Sequence, residues 1–496
     1  MKQSQRIAKN TLFGLLAAGL GGGLQFFGLL LVAWHLGVVD FGVFSYLLAF
    51  ATIFQFVADF GLSNILIREM TRRPDEVEHL LGSAKALLWV FFGLGLILVL
   101  GVILVLPISP LMKELSWIMC LGYLCRLHVA PYSSVLRSKE HMEFNSIAFI
   151  LHKVITVVLL WGVLTLKWGL LGVVWADFSA NIFLWVYYSL IVSIGFSPGR
   201  LRYDLPLWKS LLAESIPMGS GLVLRQSAWQ LDMFILGLLV DPFSLGLFSC
   251  PFRLLMGMSL VSGLLTQPLF PLFVRLAHQA REEFAVVYQR TIKWFCILSF
   301  PITALGLAWP EKAIGLFFGQ HFLPATPALM IMSLAVFSMF VSVLFPFLFS
   351  ALNRQIDFFK IMLGAVAIRI LAEVWFVPRI GYLSECVIIA VVEFGLFGAL
   401  AYRLTFLGLP LDIRVVMKPA LAALPCLGVL VFLPHATVLG MATSLLFCLL
   451  IYPGMLWLLG ALNKEELALL REGLNFIGAY RKNIQAHWLA RNGPRG

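Results

Sequence analysis

Charged residues inside long apolar segments are the positions of this sequence where chemistry is most expected. In one such segment Glu214, Arg225 and Asp232 share a helical face, because about 100° of rotation per residue brings positions 18 apart onto the same side. Trp229 lies on that face as well. A charge in hydrocarbon costs about 2.5–3.5 kcal/mol on insertion scales unless it meets a partner or a wet cavity. The stripe therefore predicts either a cavity lined by Arg225 or an internal ion pair between Arg225 and Asp232.

Three further cations, Lys153, Arg253 and Arg369, lie inside apolar segments. A guanidinium is planar and permanently charged, which suits it to a diphosphate. Lys153 either lines a cavity or extends its ammonium group to the lipid headgroups. Arg369 either lines the same cavity or is neutralised by Glu373, which follows four residues later on the same helical face. Together with Arg225, these cations predict a binding site for an anionic substrate.

Acidic residues inside apolar segments are candidates for binding a coupling ion such as H+ or Na+. We assign this role to Asp59, Asp177, Asp232, Glu373 and Glu393. For Asp59 and Asp177 a structural hydrogen bond is the alternative role, whereas Asp232 and Glu373 could instead neutralise Arg225 and Arg369. Glu385 lies near the predicted outer end of its segment, where we expect it to be hydrated.

Motifs of known enzyme active sites are missing from the sequence. It contains no GxxxxGK[ST], no GxGxxG after a strand, no HExxH and no GxSxG. The seven cysteines form no CxxC pair and have no histidine at metal-ligand spacing. We therefore predict that the chain is not an enzyme and has neither a cofactor nor a metal site.

The elements that carry these residues are predicted to be membrane-spanning helices. With 60% hydrophobic and 12% charged residues, the chain has too few charges to coat a soluble protein of its length. Segments of about 18 or more apolar residues can cross the ~30 Å hydrocarbon core as helices. We predict fourteen such spans, at residues 11–35, 42–66, 84–107, 115–135, 146–166, 169–193, 211–238, 245–272, 291–309, 325–350, 358–377, 381–402, 415–433 and 437–460.

The basic residues report membrane topology. Of the 36 Lys and Arg, 28 lie in alternate loops and in the two terminal segments, which share one side of the predicted membrane. By the positive-inside rule both termini are cytoplasmic. The formal net charge of +11 thus needs no nucleic-acid partner to explain it. Apolar residues among basic ones in 463–490 predict a helix at the cytoplasmic membrane surface.

A repeat relates the two halves of the chain. Gly42-Val43-Phe44-Ser45 follows the first span, and Gly246-Leu247-Phe248-Ser249 follows the seventh, 204 residues later. Six spans separate the copies, so the halves run parallel and are related by an axis along the membrane normal. The predicted units are an N-terminal lobe at 1–205, a C-terminal lobe at 206–405, two further helices at 406–462 and a tail at 463–496.

The repeat also places the first span opposite the charged stripe. An offset of 204 maps Arg225 to Gly21 and Trp229 to Gln25, on a face of small residues. Such a face either allows close helix packing or borders a cavity between the lobes. We include Gln25 and Trp229 among the predicted substrate-binding residues.

The N-terminal seventy residues resemble a known family. The residues that carry the resemblance are Asn10-Thr11, then Asp40-Phe41-Gly42-Val43-Phe44-Ser45, then Ala58-Asp59-Phe60-Gly61-Leu62, and then Ile67-Arg68-Glu69. In this order they are similar to the polysaccharide-biosynthesis flippases of the multidrug/oligosaccharidyl-lipid/polysaccharide exporter superfamily.

The resemblance implies an all-α polytopic fold with two parallel six-helix lobes in a V shape and two C-terminal helices. It implies an alternating-access carrier that moves a polyprenyl-diphosphate-linked oligosaccharide from the inner to the outer leaflet of the bacterial inner membrane. Surface polysaccharides such as O-antigen or exopolysaccharide are the expected products, and other membrane proteins of polysaccharide assembly are expected partners. The implied cationic lumen would draw on Arg225, Arg253 and Arg369.

Two alternative functions remain open. A multidrug or cation antiporter of the same superfamily is expected to bind cations through acidic residues in the membrane, whereas four intramembrane Lys and Arg favour an anionic cargo. A membrane-embedded glycan polymerase or ligase is expected to need a sizeable outer loop with catalytic His or Arg. The longest predicted outer loop here, 310–324, is too short for that role.

Overall fold

A computed structural model describes residues 3–462 except 60, 197–198, 267–268 and 434–436. Within its helices, the side chains at 3–13, 15–16, 64, 216–223, 225–226, 260, 278 and 438 are not described. The described residues form helices joined by short turns and contain no strand. This is the expected result for a chain in lipid, because a helix satisfies its backbone hydrogen bonds internally. The predicted tail at 463–496 lies outside the described residues.

Eighteen α-helices follow one another along the described chain. They are α1 Gln3–Asp59, α2 Leu62–Arg72, α3 Val77–Val105, α4 Pro110–Cys125, α5 Val129–Ser138, α6 Met142–Thr165, α7 Gly169–Gly195, α8 Leu205–Leu239, α9 Pro242–Thr266, α10 Phe270–Gln279, α11 Arg281–Ala308, α12 Pro310–Phe317, α13 Thr326–Ser342, α14 Phe345–Ala351, α15 Gln355–Ile380, α16 Tyr382–Phe406, α17 Arg414–Phe432 and α18 Val438–Leu458. Short 3-10 turns occupy Pro74–Glu76, Arg126–His128 and Gln320–Ala325.

Each predicted span coincides with a helix or a pair of helices. Among the described residues, eleven segments are long and apolar enough to cross a membrane, and one of them, Ala17–Asp59, overlaps most of the first two predicted spans, 11–35 and 42–66. These spans are joined without a loop, since only Gly37 leaves helical geometry, with φ 76° and ψ −173°. Glycine adopts this positive φ without a steric penalty. The all-α polytopic class of fold is confirmed.

The packing divides the helices into two lobes and an appended pair. In the first lobe α1 packs against α4 and α6, and in the second α13 packs against α11 and α16. α1 also packs against α8 and α9, which joins the lobes. The last two helices attach to the second lobe through α17 and α11.

The repeated motifs meet where the lobes touch, at a contact we call the Gly42–Gly246 seam. A Cβ on Gly42 would collide with the carbonyl oxygen of Pro242 and would lie 2.6 Å from the backbone nitrogen of Gly246. A Cβ on Gly246 would collide with the carbonyl oxygen of Val38. Val38 and Pro242 are themselves 204 positions apart, so the seam has an internal two-fold relation. Only glycine allows the two backbones to approach this closely.

The lobes also touch near the start of α8, on the side where the sequence predicts most Lys and Arg, which we call the basic side. There Arg68 of α2 forms an ion pair with Glu214 of α8. The indole nitrogen of Trp208 on α8 donates to the carbonyl oxygen of Ser83 on α3 at 3.1 Å. The two lobes are therefore held together at both ends of α8.

Candidate functional site

The C-terminal lobe contains a buried cluster of five charged side chains, which we call the acidic cluster. Arg369 of α15 lies at its centre, with Nη2 2.9 Å from Asp232 Oδ2 of α8. Its Nε is 3.8 Å from Oε1 of Glu373, one turn along α15, and 3.8 Å from Oε1 of Glu385 on α16. Its Nη1 is 3.8 Å from Oε1 of Glu393, also on α16. Three helices thus bring four carboxyl groups to one guanidinium.

These five side chains are almost sealed from solvent. Exposed fractions are 6% for Arg369, 2% for Asp232, 3% for Glu393 and 0% for Glu373 and Glu385. Two unit charges 4 Å apart interact with about 4 kcal/mol at an effective dielectric constant of about 20. Four ionised carboxylates around a single guanidinium are therefore unstable unless the cluster holds protons or another cation.

The prediction that Glu385 is hydrated is wrong, because its side chain is fully buried. α16 begins at Tyr382, so Glu385 lies in its first turn. Near this end of the helix, the hydroxyl of Tyr382 lies 3.5 Å from the carbonyl oxygen of Pro324, in the turn Gln320–Ala325. Glu385 is the residue of the acidic cluster to which sequence reasoning gave no role. An acidic residue near the start of an apolar span was its only signal.

The stripe predicted on the seventh span divides between two locations. Asp232 is in the acidic cluster, and the ring centroid of Trp229 lies 5.6 Å from the Arg369 guanidinium, within range of a cation–π interaction. Glu214 is at the basic side with Arg68. The side chain of Arg225 lies outside the described part of the chain, while Asp232 has Arg369 as an ion-pair partner.

The N-terminal lobe contains a second polar site, which we call the lysine pocket. Lys153 of α6 and Asp177 of α7 border it and interact electrostatically with each other and with Arg126. The amide of Asn181 donates to Asp177 Oδ2 at 2.9 Å. The other residues that line the pocket include Leu24, Gln25, Gly28, Tyr123, Thr156 and Val157. The structure therefore brings together Lys153, Asp177 and Gln25, for which the sequence predicts separate roles.

Arg253 of α9 is a buried cation of a different kind. It is 7% exposed, and its Nε and Nη2 atoms have no hydrogen-bond partner among the described residues. Its electrostatic neighbour is Tyr123 of α4, in the other lobe. Tyr123 also interacts with Asp177 and Arg126 and lines the lysine pocket. Arg253 thus projects from the C-terminal lobe toward the polar site of the N-terminal lobe.

Two remaining sequence predictions have structural partners. Asp59, at the end of α1, accepts a hydrogen bond of 2.8 Å from the hydroxyl of Ser63. A Cβ on Gly21 would collide with the ring of Phe149 on α6, and one on Gly28 would lie 3.4 Å from Leu160 Cδ1. The small face of α1 is therefore used for close packing at these two glycines. A role for Asp59 in ion coupling stays a prediction.

The family model described as "Polysaccharide biosynthesis protein" matches residues 7–277, more than half of the chain. No curated protein matches. The fold is similar to the solved structure of the lipid II flippase MurJ in an inward closed conformation, with a TM-score of 0.73 and 14% identity over 90% of this chain and 97% of that one.

Two transporters of the MOP superfamily are also similar in fold. An inward-facing multidrug resistance MATE family transporter has a TM-score of 0.60 and 14% identity over 79% of this chain and 95% of that one. A transporter from Pyrococcus furiosus, described as having a binding pocket of reverse polarity, has a TM-score of 0.55 and 13% identity over 82% of this chain and 99% of that one. These likenesses establish a shared V-shaped exporter fold.

Proposed function

The chain belongs to the polysaccharide biosynthesis protein family, and on that premise we propose that it flips a polyprenyl-diphosphate-linked oligosaccharide across the membrane. In this proposal the two lobes expose a polar cavity alternately to each side. The cargo moves from the inner to the outer leaflet of a bacterial inner membrane, and both termini of the chain are cytoplasmic. The family assignment agrees with the prediction from the first seventy residues.

The observation that carries the proposal is Arg253, a buried guanidinium whose Nε and Nη2 atoms have no described hydrogen-bond partner. A buried charge without a partner costs several kcal/mol, so a site that keeps one gains most from an anionic ligand. Guanidinium groups bind phosphates through two parallel hydrogen bonds. A diphosphate would supply oxygen acceptors for the Nε and Nη2 donors of Arg253.

The lysine pocket extends this positive site into the other lobe. Lys153 and Arg126 face a single carboxylate, Asp177, so the pocket carries a positive excess. Gln25 and Thr156 add neutral polar groups that suit sugar hydroxyls. We propose that the diphosphate lies between Arg253 and this pocket, with the prenyl chain remaining in lipid. Arg225 stays a predicted contributor to the same site.

The predicted coupling ion belongs to the same proposal. Asp232, Glu373 and Glu393 are brought together in the acidic cluster, which suits them to an exchangeable H+ or Na+. Asp177, which accepts a hydrogen bond from Asn181, is the candidate carboxylate of the lysine pocket in the first lobe. Ion uptake at either place would bias the equilibrium between the two transporter states.

A multidrug or cation antiporter is the second candidate, and the acidic cluster is the observation that favours it. Four carboxyl groups would attract an amphipathic cation. However, the cluster already contains the guanidinium of Arg369, whereas Arg253 has no carboxylate within ion-pair distance among the described residues. This difference favours an anionic cargo.

The test replaces Arg253 in a cell that lacks its own flippase and follows surface glycan. We expect Arg253→Gln to lower export by about tenfold or more, since a charge-assisted hydrogen bond contributes about 1.5–3 kcal/mol. Lipid-linked oligosaccharide should accumulate in the inner leaflet, and Arg253→Lys should restore part of the export.

Arg379→Gln is the matched control, because Arg379 is an exposed arginine at the end of α15. Its export should equal that of the unchanged chain. Normal glycan export by Arg253→Gln at an equal membrane level would refute the role of this cation. Efflux of a cationic dye without any glycan export would instead support the antiporter.

A further inference from the structure

The C-terminal lobe contains a second cavity, of about 230 Å³, which we call the arginine cavity. It lies where three parts of the chain meet: the turn from α10 to α11, the turn from α14 to α15 and the end of α16. By the order of the predicted spans, all three lie on the basic side. Its lining consists of Arg281, Arg354 and five apolar residues, all from the second lobe. The cavity is therefore distinct from the proposed cargo site, which lies between the lobes.

The end of α16 positions the first of the two arginines. Gly408, two residues beyond this helix, has φ 75°, and its backbone nitrogen donates to the carbonyl oxygen of Thr405 at 2.9 Å. A glycine in this left-handed conformation is a common helix end. The carbonyl oxygen of Leu407 accepts a hydrogen bond from Nη2 of Arg281. A Cβ on Gly408 would lie 3.3 Å from the same Nη2 atom, so the guanidinium is packed against this turn.

A left-handed residue also positions the second arginine. Asn353 follows the end of α14 with φ 55°, and the backbone nitrogen of Arg354 donates to the carbonyl oxygen of Phe349 at 2.8 Å. Asparagine is the residue that most often replaces glycine in such a turn. Arg354 is then the N-cap of α15, and its side chain makes no capping hydrogen bond. Its guanidinium therefore borders the cavity without a role in the turn.

The positive charge of the arginine cavity has no counterion in the described part of the chain, where neither arginine has a carboxylate at ion-pair distance. Asp357, in the first turn of α15, pairs with Arg403 at 3.0 Å. Glu282 and Glu283 lie in the first turn of α11 but do not line the cavity. Two like charges beside one cavity repel each other. The arrangement therefore favours an anion, and guanidinium groups are suited to phosphate.

The side chains around the cavity place it at the level of the lipid headgroups. Tyr402 and Phe406, in the last turns of α16, are both exposed, and their ring centroids are 4.9 Å apart. Ile356, in the first turn of α15, is exposed as well. Aromatic side chains at the end of a membrane-spanning helix are typical of the membrane–water interface. Arg281 and Arg354 are exposed too, so a lipid can reach them without a change of fold.

We propose that the arginine cavity binds the phosphate of an anionic phospholipid from the leaflet on the basic side. Arg281 and Arg354 bind the phosphate oxygens, and the apolar lining contacts the carbon atoms next to the phosphate. Basic pockets between membrane helices on the cytoplasmic side bind lipid headgroups in this way. A bound lipid connects the ends of three helix pairs and so stabilises this end of the C-terminal lobe.

The experiment measures lipid binding to the purified full chain by native mass spectrometry. The probe is phosphatidylglycerol, and phosphatidylcholine is the comparison without net charge. We expect phosphatidylglycerol to bind more tightly, and Arg354→Gln to weaken it by about fivefold, as for one basic residue near an anionic lipid. Arg281→Gln added to Arg354→Gln should weaken it by about twentyfold or more. Arg354→Lys should retain part of the affinity.

Thermal unfolding of the same variants separates lipid binding from folding. Phosphatidylglycerol should raise the Tm of the unchanged chain, and this rise should be smaller for Arg354→Gln. In phosphatidylcholine alone, Arg354→Gln should have the Tm of the unchanged chain, because its side chain bonds no described residue. Arg414→Gln is the matched control, since Arg414 is exposed at the start of α17, on the same side, and does not line the cavity. Its affinity for phosphatidylglycerol should be unchanged.

Two results would overturn the proposal. Equal affinity of the unchanged chain, Arg354→Gln and Arg414→Gln for phosphatidylglycerol would show that the lipid binds elsewhere. A rise of Tm with inorganic phosphate that equals the rise with phosphatidylglycerol, and that Arg354→Gln abolishes, would identify free phosphate as the ligand. Neither readout measures glycan export, so both stay interpretable if the proposed transport function fails.

Discussion

The two lobes share a scaffold and differ in the sign of their buried charge. In the N-terminal lobe Lys153 and Arg126 face one carboxylate, Asp177. In the C-terminal lobe Arg369 faces four carboxyl groups, including Asp232. The duplicated helices can therefore carry opposite electrostatics in equivalent halves. In the proposed function, the anionic cargo lies beside the positively charged site of the N-terminal lobe.

The lobes also reverse the chain differently at equivalent turns. In the first turn Gly37 adopts φ 76°. Its equivalent 204 positions later is Asp241, followed by Pro242 at the first position of α9. Asp241 accepts hydrogen bonds from Ser244, 3.0 Å from the backbone nitrogen and 2.7 Å from the hydroxyl. The seam is therefore positioned by the positive φ of Gly37 in the first lobe and by the helix cap at Asp241 in the second.

The largest loss of glycan export should come from disrupting the Gly42–Gly246 seam, to which both lobes contribute. Gly246→Val places a branched side chain against the Val38 carbonyl oxygen, and overpacking of this kind costs about 1–3 kcal/mol. The ratio of molecules with the Gly42–Gly246 seam closed to those with it open should fall roughly ten- to hundredfold. Labelling of Leu245→Cys, which replaces a buried residue beside the seam, by a membrane-impermeant maleimide should rise accordingly, and export should fall.

Gly395→Val is the control for the seam, because nothing lies within 4 Å of a Cβ at this position of α16. It should leave both labelling and export near the level of the unchanged chain. Gly42→Val should behave like Gly246→Val, since the two glycines are equivalent. Labelling at the level of the unchanged chain in either the Gly42→Val or the Gly246→Val variant would contradict the symmetric packing of these glycines.

The next largest loss of export should come from the lysine pocket of the N-terminal lobe. Lys153→Gln leaves Asp177 with Arg126 alone and removes the positive excess of the lysine pocket. We expect glycan export to fall by about three- to tenfold, the loss of about one charged contact of 1 kcal/mol or slightly more. Lys153→Arg should retain most of the export.

Lys167→Gln is the matched variant, because Lys167 is exposed just beyond the end of α6. Its export should be unchanged. Equal export by Lys153→Gln and Lys167→Gln would contradict a role of Lys153 in cargo binding. It would instead support the alternative that Lys153 extends its ammonium group to the lipid headgroups.

A smaller effect should come from the turn of the C-terminal lobe. Hydrogen bonds from Ser244 hold the pKa of Asp241 below its ordinary value. Asp241→Ala removes this helix cap and should lower stability by about 0.5–1 kcal/mol. The cap is present at any pH above the unfolded-state pKa, near 3.9, and is lost as pH falls through the lower folded-state pKa.

Thermal unfolding near neutral pH and in acid checks the role of Asp241. The Tm difference between the unchanged chain and Asp241→Ala should shrink in acid, while Asp241→Asn should keep part of the cap. A constant difference across this range would show that the ionised carboxylate does not contribute.

The smallest effect should come from the ion pair between the lobes at the basic side. Arg68 and Glu214 have exposed fractions of 38% and 47%, and exposed pairs contribute little and are screened by salt. A double-mutant cycle of Arg68→Gln and Glu214→Gln should give a coupling close to the error of the Tm measurement at low salt and none at high salt. A large, salt-resistant coupling would mark this pair as a lock between the lobes.

The sequence by itself determined the helical class, the predicted spans, the alternation of basic loops and the 204-residue repeat. These features are local or periodic, because a bilayer accepts only segments that bond their own backbone and requires a minimum apolar length. The pairing of Arg369 with Glu373 was equally visible, as the two residues lie one helical turn apart.

Only the tertiary structure decided which charges meet across different helices. Asp232, Glu385 and Glu393 join Arg369 from two other helices, and Arg253 faces Tyr123 in the other lobe. These contacts depend on how each helix is rotated and shifted against its neighbours, which is set by close packing at positions such as Gly42 and not by the span that contains the charge. The types of the buried charges are therefore written in the sequence, whereas their partners, and with them the opposite character of the two lobes, follow from the fold.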